Sequence, residues 1–243
     1  MPARDVPALT DLLCESCGYT LNGLPDTGNC PECGQPVAAS TTQAGRGPTA
    51  YEVRPSIQTF WLVTRQVLLS PKVFYRNLSV RDETRVSWAF AMRHRLLVGF
   101  ICMLTLFGHL MVTGTLAGVR VAGGTLTELI VSLVVGAMSV PILIGITRLA
   151  GWLSSLEAGF WGMRLPLTVV RRAMDYHSAA YLPVALVAFV IVFGYMALTM
   201  AGTIDLTTLP TYLYVIAGYV VVSAAYLFRM FVIAMMGVRY ANQ

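Results

Sequence analysis

From residue 96 onward the chain alternates between long apolar runs and short polar gaps, and the runs set the architecture. Four of them, at 96–118, 129–153, 179–201 and from 209 onward, are long enough to cross about 30 Å of hydrocarbon as helices. Pro141 lies inside the second run, where a membrane helix tolerates it as a kink, and Pro183 in the opening turn of the third. The fourth stays apolar to Val238 apart from Arg229, whereas 209–230 already suffices to span; the surplus implies tilt or protrusion. Ahead of the runs the pattern turns amphipathic. "IQTFWLVTRQVLLSP" places Ile57, Phe60, Trp61, Val67 and Leu68 on one side of a helix, with Gln58, Arg65 and Gln66 elsewhere. "KVFYRNLSVRDETRVSWAFAMRHR" mixes aromatics with five arginines and one lysine. Basic amphipathic helices with aromatic apolar faces lie in the membrane interface, so 55–95 is expected there; packing on the ribbon or on one another is the alternative.

Residues 35–54 carry small, Gly-, Pro- and Thr-rich linker composition, and 1–34 are short, polar and rich in turn formers. The predicted fold is therefore an all-α polytopic membrane protein of about four transmembrane helices with a small N-terminal metal-stapled domain. Mean hydropathy is positive. Only 12% of residues are charged, about half the share of a soluble domain, which agrees with lipid as the main solvent. Basic residues set the orientation. Lys72, Arg76, Arg81, Arg85, Arg93 and Arg95 precede the first span, Arg148, Arg164, Arg171 and Arg172 lie between the second and third, and Arg229 and Arg239 end the chain. The first connection has only Arg120 and the third none. Both termini and the middle connection are expected in the cytosol. "MPARDVPALTDLL" has neither the basic start nor the apolar core of a secretory signal, which fits.

Chemistry concentrates at the front. Cys14 and Cys17, then Cys30 and Cys33, form two CxxC pairs twelve residues apart in "CESCGYTLNGLPDTGNCPECG". Two residues between thiolates let one tight turn aim both sulfurs at a tetrahedral ion, and Gly18 and Gly34 supply the left-handed turn that follows each pair. The pattern predicts a structural zinc site with four thiolates and no open coordination position; a thiol–disulfide pair or an iron centre is the alternative. Cys102, in an apolar run, reads as a small buried hydrophobe. Over residues 1–34 one arginine stands against five carboxylates, and four thiolates around a divalent ion add two further negative charges. Such a surface repels a phosphate backbone, so nucleic acid is not the expected partner. Leu13, Tyr19, Leu21 and Leu24 are too few to build a core unaided, which makes a cap held together by metal as reasonable as a protein-docking module.

The spans look chemically poor. No Asp or Glu lies within an apolar core: Glu128 stands at the mouth of the second, Glu157 in the middle connection and Asp205 in the outer loop. That argues against intramembrane carboxylate catalysis and ion relays. His109 is the sole imidazole within a span; it could activate Ser132 or Ser139, but a hydrogen bond to a carbonyl on another helix is the simpler expectation. Arg229 reads as snorkelling, and His94 and His177 fall near the cytosolic headgroups. Gly114 and Gly118, Gly145 and Gly151, Ala217 and Gly218 permit close helix packing, within one chain or in a homo-oligomer.

The knuckle phrase over residues 12–34 resembles the N-terminal zinc ribbons of uncharacterised bacterial membrane proteins. The rest is similar, more loosely, to the Yip family of multi-span membrane proteins, through "LLSPKVFYRNL", the basic approach to the first span and "AMDYHSAAYLPVAL" entering the third. The resemblance implies the inner membrane of a bacterial cell and, by analogy with eukaryotic members, a part in membrane organisation. That family usually has five spans, one more than here, and it carries no functional residue across. The expected function is a non-enzymatic scaffold or adaptor whose ribbon binds a protein partner at the cytosolic face. A small oligomeric carrier or channel for an uncharged or weakly polar solute is the alternative, and an intramembrane serine hydrolase using His109 a more distant one.

Overall fold

The structure is a computed structural model that describes residues 6–8, 10–41, 46–79, 84–117, 124–203 and 209–242. Its helices are α1 (Ala38–Thr41), α2 (Ala50–Val53), α3 (Ile57–Leu69), α4 (Pro71–Asn77), α5 (Thr84–Ala117), α6 (Gly124–Phe160), α7 (Leu167–His177), α8 (Tyr181–Met200) and α9 (Leu209–Val238). Among the described residues there is no strand. Four helical stretches are long and apolar enough to cross a membrane: α5, α6, α7 continued into α8, and α9. In the most apolar window of α6 only 11% of residues are buried, so its side chains are presented to a solvent that must be apolar.

The chain divides into two compact units, one comprising Met1–Ala91, Ile146–Ala179 and Met230–Gln243, the other Met92–Gly145 and Ala180–Arg229. The first holds the ribbon, α1–α4 and the polar ends of long helices. Ser56 caps α3 by accepting from the Thr59 N–H, and Pro71 starts α4, where its missing N–H costs nothing. α3 turns Phe60, Val63 and Val67 inward but leaves Ile57, Trp61, Leu62 and Leu69 exposed. It thus packs on its own unit and still offers a second apolar face. Tyr51, Phe60, Phe90, Phe74 and Tyr176 form one aromatic cluster, with centroid separations of 5.0 Å for Phe90–Tyr176 and 5.2 Å for Phe60–Phe90 and Phe74–Tyr176. The stretch expected as a linker is partly packed: Val37, Ser40, Thr49 and Tyr51 are buried. Residues 42–45 lie outside the described residues.

A buried polar network threads this cluster. The Arg172 guanidinium lies 2.7 Å from Glu52 Oε2, with both side chains under a tenth exposed. Tyr176 Oη and Thr49 Oγ1 share a hydrogen bond of 2.9 Å. Ser87 donates to Asp175 Oδ2 at 3.1 Å, and Arg148 approaches the other carboxylate oxygen at 3.8 Å while lying over the Trp88 ring. The basic stretch 84–95, expected with the interfacial helices, belongs to α5, because nothing between Thr84 and Arg95 breaks a helix.

The second unit is an apolar bundle of α5 from Met92, α6 to Gly145, α8 and α9 to Arg229. Val98, Ile101, Tyr181, Leu182 and Ala185 form one core cluster, and Val112, Val192 and Tyr212 another. α5 and α6 meet at Gly99 and Gly136: a Cβ on Gly99 would come within 2.9 Å of the Gly136 carbonyl oxygen, and one on Gly136 within 2.6 Å of Met103 Cβ. The glycines singled out from spacing behave differently. Gly145 and Gly218 face open space, Gly151 packs against Val170 within the first unit, and Gly118 lies outside the described residues.

Candidate metal centre and its attachment

The two CxxC turns are built alike. In the first, Leu13 bridges Thr20, the Cys14 N–H donates to Tyr19 O at 2.8 Å and the Gly18 N–H to Cys14 O at 2.8 Å. In the second, Asn29 bridges Pro36, Cys30 N–H donates to Gln35 O at 2.7 Å and Gly34 N–H to Cys30 O at 2.9 Å. Gly18 and Gly34 have φ of +84° and +72°, the left-handed region that a Cβ disfavours. Leu21 and Val37 are fully buried between the turns, packed with Cys14 and Cys30 and flanked by Leu12 and Leu24. This core is too small to hold a fold by itself.

The turns bring Cys14, Cys17, Cys30 and Cys33 together, with all four Sγ atoms within 4.8 Å of one another. The shortest separations, Cys14–Cys33 at 3.5 Å and Cys17–Cys30 at 3.6 Å, link opposite knuckles. Both are far longer than the roughly 2.05 Å of a disulfide. They are close to the edge of a tetrahedron about 3.8 Å on a side that four bonds of about 2.3 Å to one metal would give. Burial pushes the Cys14 thiol up and Cys17 up to about 12. Burial also works upward on Cys30, but the N–H groups of Cys33 and Glu32 aimed at its sulfur hold it down at about 7. Four thiolates so close repel one another and a cation removes that repulsion, so the donor set fits a metal ion.

The site is fastened to its own unit through the first knuckle. Asn242 Oδ1 accepts from the Leu13 N–H at 2.9 Å, and its Nδ2 donates to Leu13 O at 2.9 Å and Ser40 O at 3.0 Å, mimicking a strand partner. Arg164 donates to the carbonyls of Ala8, Asp11 and Ala241 and to Asn242 Oδ1. Burial lowers the Arg164 pKa, and the charges of Asp11 and Glu15 oppose that. Arg46 pairs with both carboxylate oxygens of Glu15 at 2.9 and 3.0 Å and spends its other N–H groups on carbonyls of Tyr75, Leu78 and Gly237. The Tyr240 ring lies against Gly18, where a Cβ would come within 2.6 Å of it. Gly18 is required twice, by its φ and by this contact. The second knuckle is left outside: Asp26, Pro31, Glu32, Cys33 and Gly34 are exposed.

Candidates in the spans come out otherwise. His109 Nδ1 is 2.7 Å from Tyr212 Oη, with the two rings stacked. Ser132 and Ser139 each donate to a carbonyl of their own helix, Glu128 O and Gly136 O, both at 2.7 Å. His109 does bond a neighbouring helix, but its partner is the Tyr212 hydroxyl and not the backbone carbonyl expected. Arg229 is exposed, His94 and His177 are buried, and Arg120 and Asp205 lie outside the described residues. Sequence reasoning missed Asn242, Arg164, Arg46 and the Glu52–Arg172 pair. One signal was available: Asp175 is the only carboxylate between Glu157 and Asp205. Among known proteins, no family model, no curated protein and no solved structure matches this chain.

Proposed function

We propose that this protein is a non-enzymatic membrane scaffold whose zinc-stapled ribbon is anchored by its first knuckle and offers its second to a cytosolic protein. The observation that carries the reading is the asymmetry of the ribbon. One knuckle is clamped by Asn242, Arg164 and Tyr240, and the other is exposed and acidic through Asp26 and Glu32. Four clustered thiols suit zinc, and four sulfur ligands leave no position for a substrate. The same need for deprotonated ligands means that affinity for the ion falls as pH falls. The distribution of arginines and the requirement for reduced thiols together favour the cytosolic side for the ribbon. A non-catalytic role is further favoured by Ser132 and Ser139, whose hydroxyls are turned onto backbone carbonyls. The partner is a protein with a basic surface, since it meets carboxylates and a negatively charged metal–thiolate centre.

The test is crosslinking in native membranes, comparing wild type with Asp26→Lys/Glu32→Lys and with Cys30→Ser/Cys33→Ser at equal membrane level. The charge-reversed variant keeps its metal and its clamp but loses the wild-type partners, as does the cysteine variant. Partners retained by both variants would reduce the ribbon to a cap.

A further inference from the structure

Between the first knuckle, α4 and the last turns of α9, the first unit holds a cleft of about 480 Å³. Its lining includes four cations, Arg46, Lys72, Arg76 and Arg239, and one carboxylate, Glu15. Glu15 is satisfied by Arg46, whose remaining donors are spent on carbonyls, so this pair is a fixed wall. The other three cations have no carboxylate partner among the described residues. Arg239 lies over the Tyr240 ring and donates to the Met236 sulfur. Lys72 and Arg76 stand four residues apart on a seven-residue helix that contains no acid. Like charges at that spacing destabilise a helix, and among the described residues no carboxylate offsets them. Three cations lining one concave site suit an anion.

The opposite wall says which anion. Val232, Ile233 and Met236 line the cleft from α9, and Val232 and Met236 are themselves exposed. They belong to the final turns of a membrane-capable helix. A free anion gains nothing from this apolar wall, whereas a phospholipid places its phosphate among the cations and its acyl chains along α9. We propose that this cleft binds the phosphate of an anionic phospholipid headgroup, held by Lys72, Arg76 and Arg239. Basic pockets beside the ends of membrane helices are the general form of such sites.

The experiment uses the purified full-length protein in neutral detergent, with bound lipid counted by native mass spectrometry. The probes are phosphatidylglycerol, phosphatidylcholine of matched chains, and inorganic phosphate as competitor. The expected result is a preference for phosphatidylglycerol of about tenfold or more, abolished in Lys72→Ala/Arg76→Ala and kept in Arg65→Ala, which removes an exposed charge outside the cleft. Arg76→Lys, which keeps the charge, retains binding. Should the double variant fail to hold its metal or melt as wild type does, Lys72→Gln and Arg76→Gln singly carry the same expectation of loss. Unchanged preference in these variants overturns the site, and an equal loss in Arg65→Ala reduces it to diffuse surface charge. Displacement by inorganic phosphate at the concentration at which the lipid itself binds overturns the lipid as the source.

Discussion

The two units of this chain are held together by opposite chemistry. In the first, directed polar contacts cross long stretches of sequence: Asn242 on Leu13, Arg164 on Asp11, Arg172 on Glu52, Ser87 on Asp175. In the second, surfaces fit by close approach, as at Gly99 and Gly136, with polar contacts such as His109 with Tyr212 and Tyr219 with the Val184 carbonyl set among them. The contrast follows from solvent. Where water competes, a small domain needs metal and satisfied charges to hold a unique geometry, while in lipid apolar surface gives helices no preference for each other, so packing must.

The largest effect should come from the metal. For a zinc held by the four thiolates, a chelator should take away a binding energy of about 10–16 kcal/mol that for such sites is folding energy, and Cys30→Ser a part of it. Limited proteolysis should then cleave within 10–41, while the helical circular dichroism of the four long helices stays near its starting value. Loss of helicity together with the ribbon would erase the contrast between the units. Next comes the buried pair. Glu52→Ala removes the carboxylate 2.7 Å from the buried Arg172 guanidinium and should cost about 3–5 kcal/mol, read as a lowered thermal midpoint in detergent. Replacing both residues by Leu and Met should recover most of that, since a well-packed apolar pair avoids the desolvation of two charges.

How much of this was legible in sequence follows the same division. The four spans and the cysteine quartet are local signals, an apolar run or a spacing, and both are present. The clamp was not legible, because Asn242 finds Leu13 across 229 positions and no periodicity encodes such a meeting. The extent of α5 was misjudged for a physical reason: charges at Arg85, Arg93 and Arg95 mark where an apolar run stops, not where a helix does. The close approach falls on Gly99 and Gly136, which spacing did not single out, because which glycine touches is decided by helix rotation. Gly136 is in contact and Gly145, nine residues on in the same helix, is not.

That pair of glycines sharpens the bundle's half of the comparison. Gly136→Val places methyl groups where Met103 already stands, and overpacking of this kind should cost about 1–3 kcal/mol. Gly145→Val meets open space and should fall within about 0.5 kcal/mol of wild type, as a substitution away from any packed contact does. Equal effects at both positions would mean that α5 and α6 are not joined by close approach.

The smallest expected effect tests the exception. His109 and Tyr212 form a hydrogen bond between α5 and α9, inside the unit whose α5 and α6 meet by close approach. A polar pair within lipid has been expected to be strong, because its alternative is an unsatisfied group in hydrocarbon; yet the unfolded chain in a membrane finds other partners too. Tyr212→Phe removes the hydroxyl and keeps the ring, with its stacking on His109 and its contact with Tyr195. The cost should therefore be only about 0.6–1.7 kcal/mol, measured by unfolding in mixed micelles. A cycle with His109→Leu separates the bond from the ring contacts. If the coupling energy in that cycle reached the several kcal/mol expected of Glu52–Arg172, the bundle would depend on a directed polar contact as much as the unit with the four cysteines does.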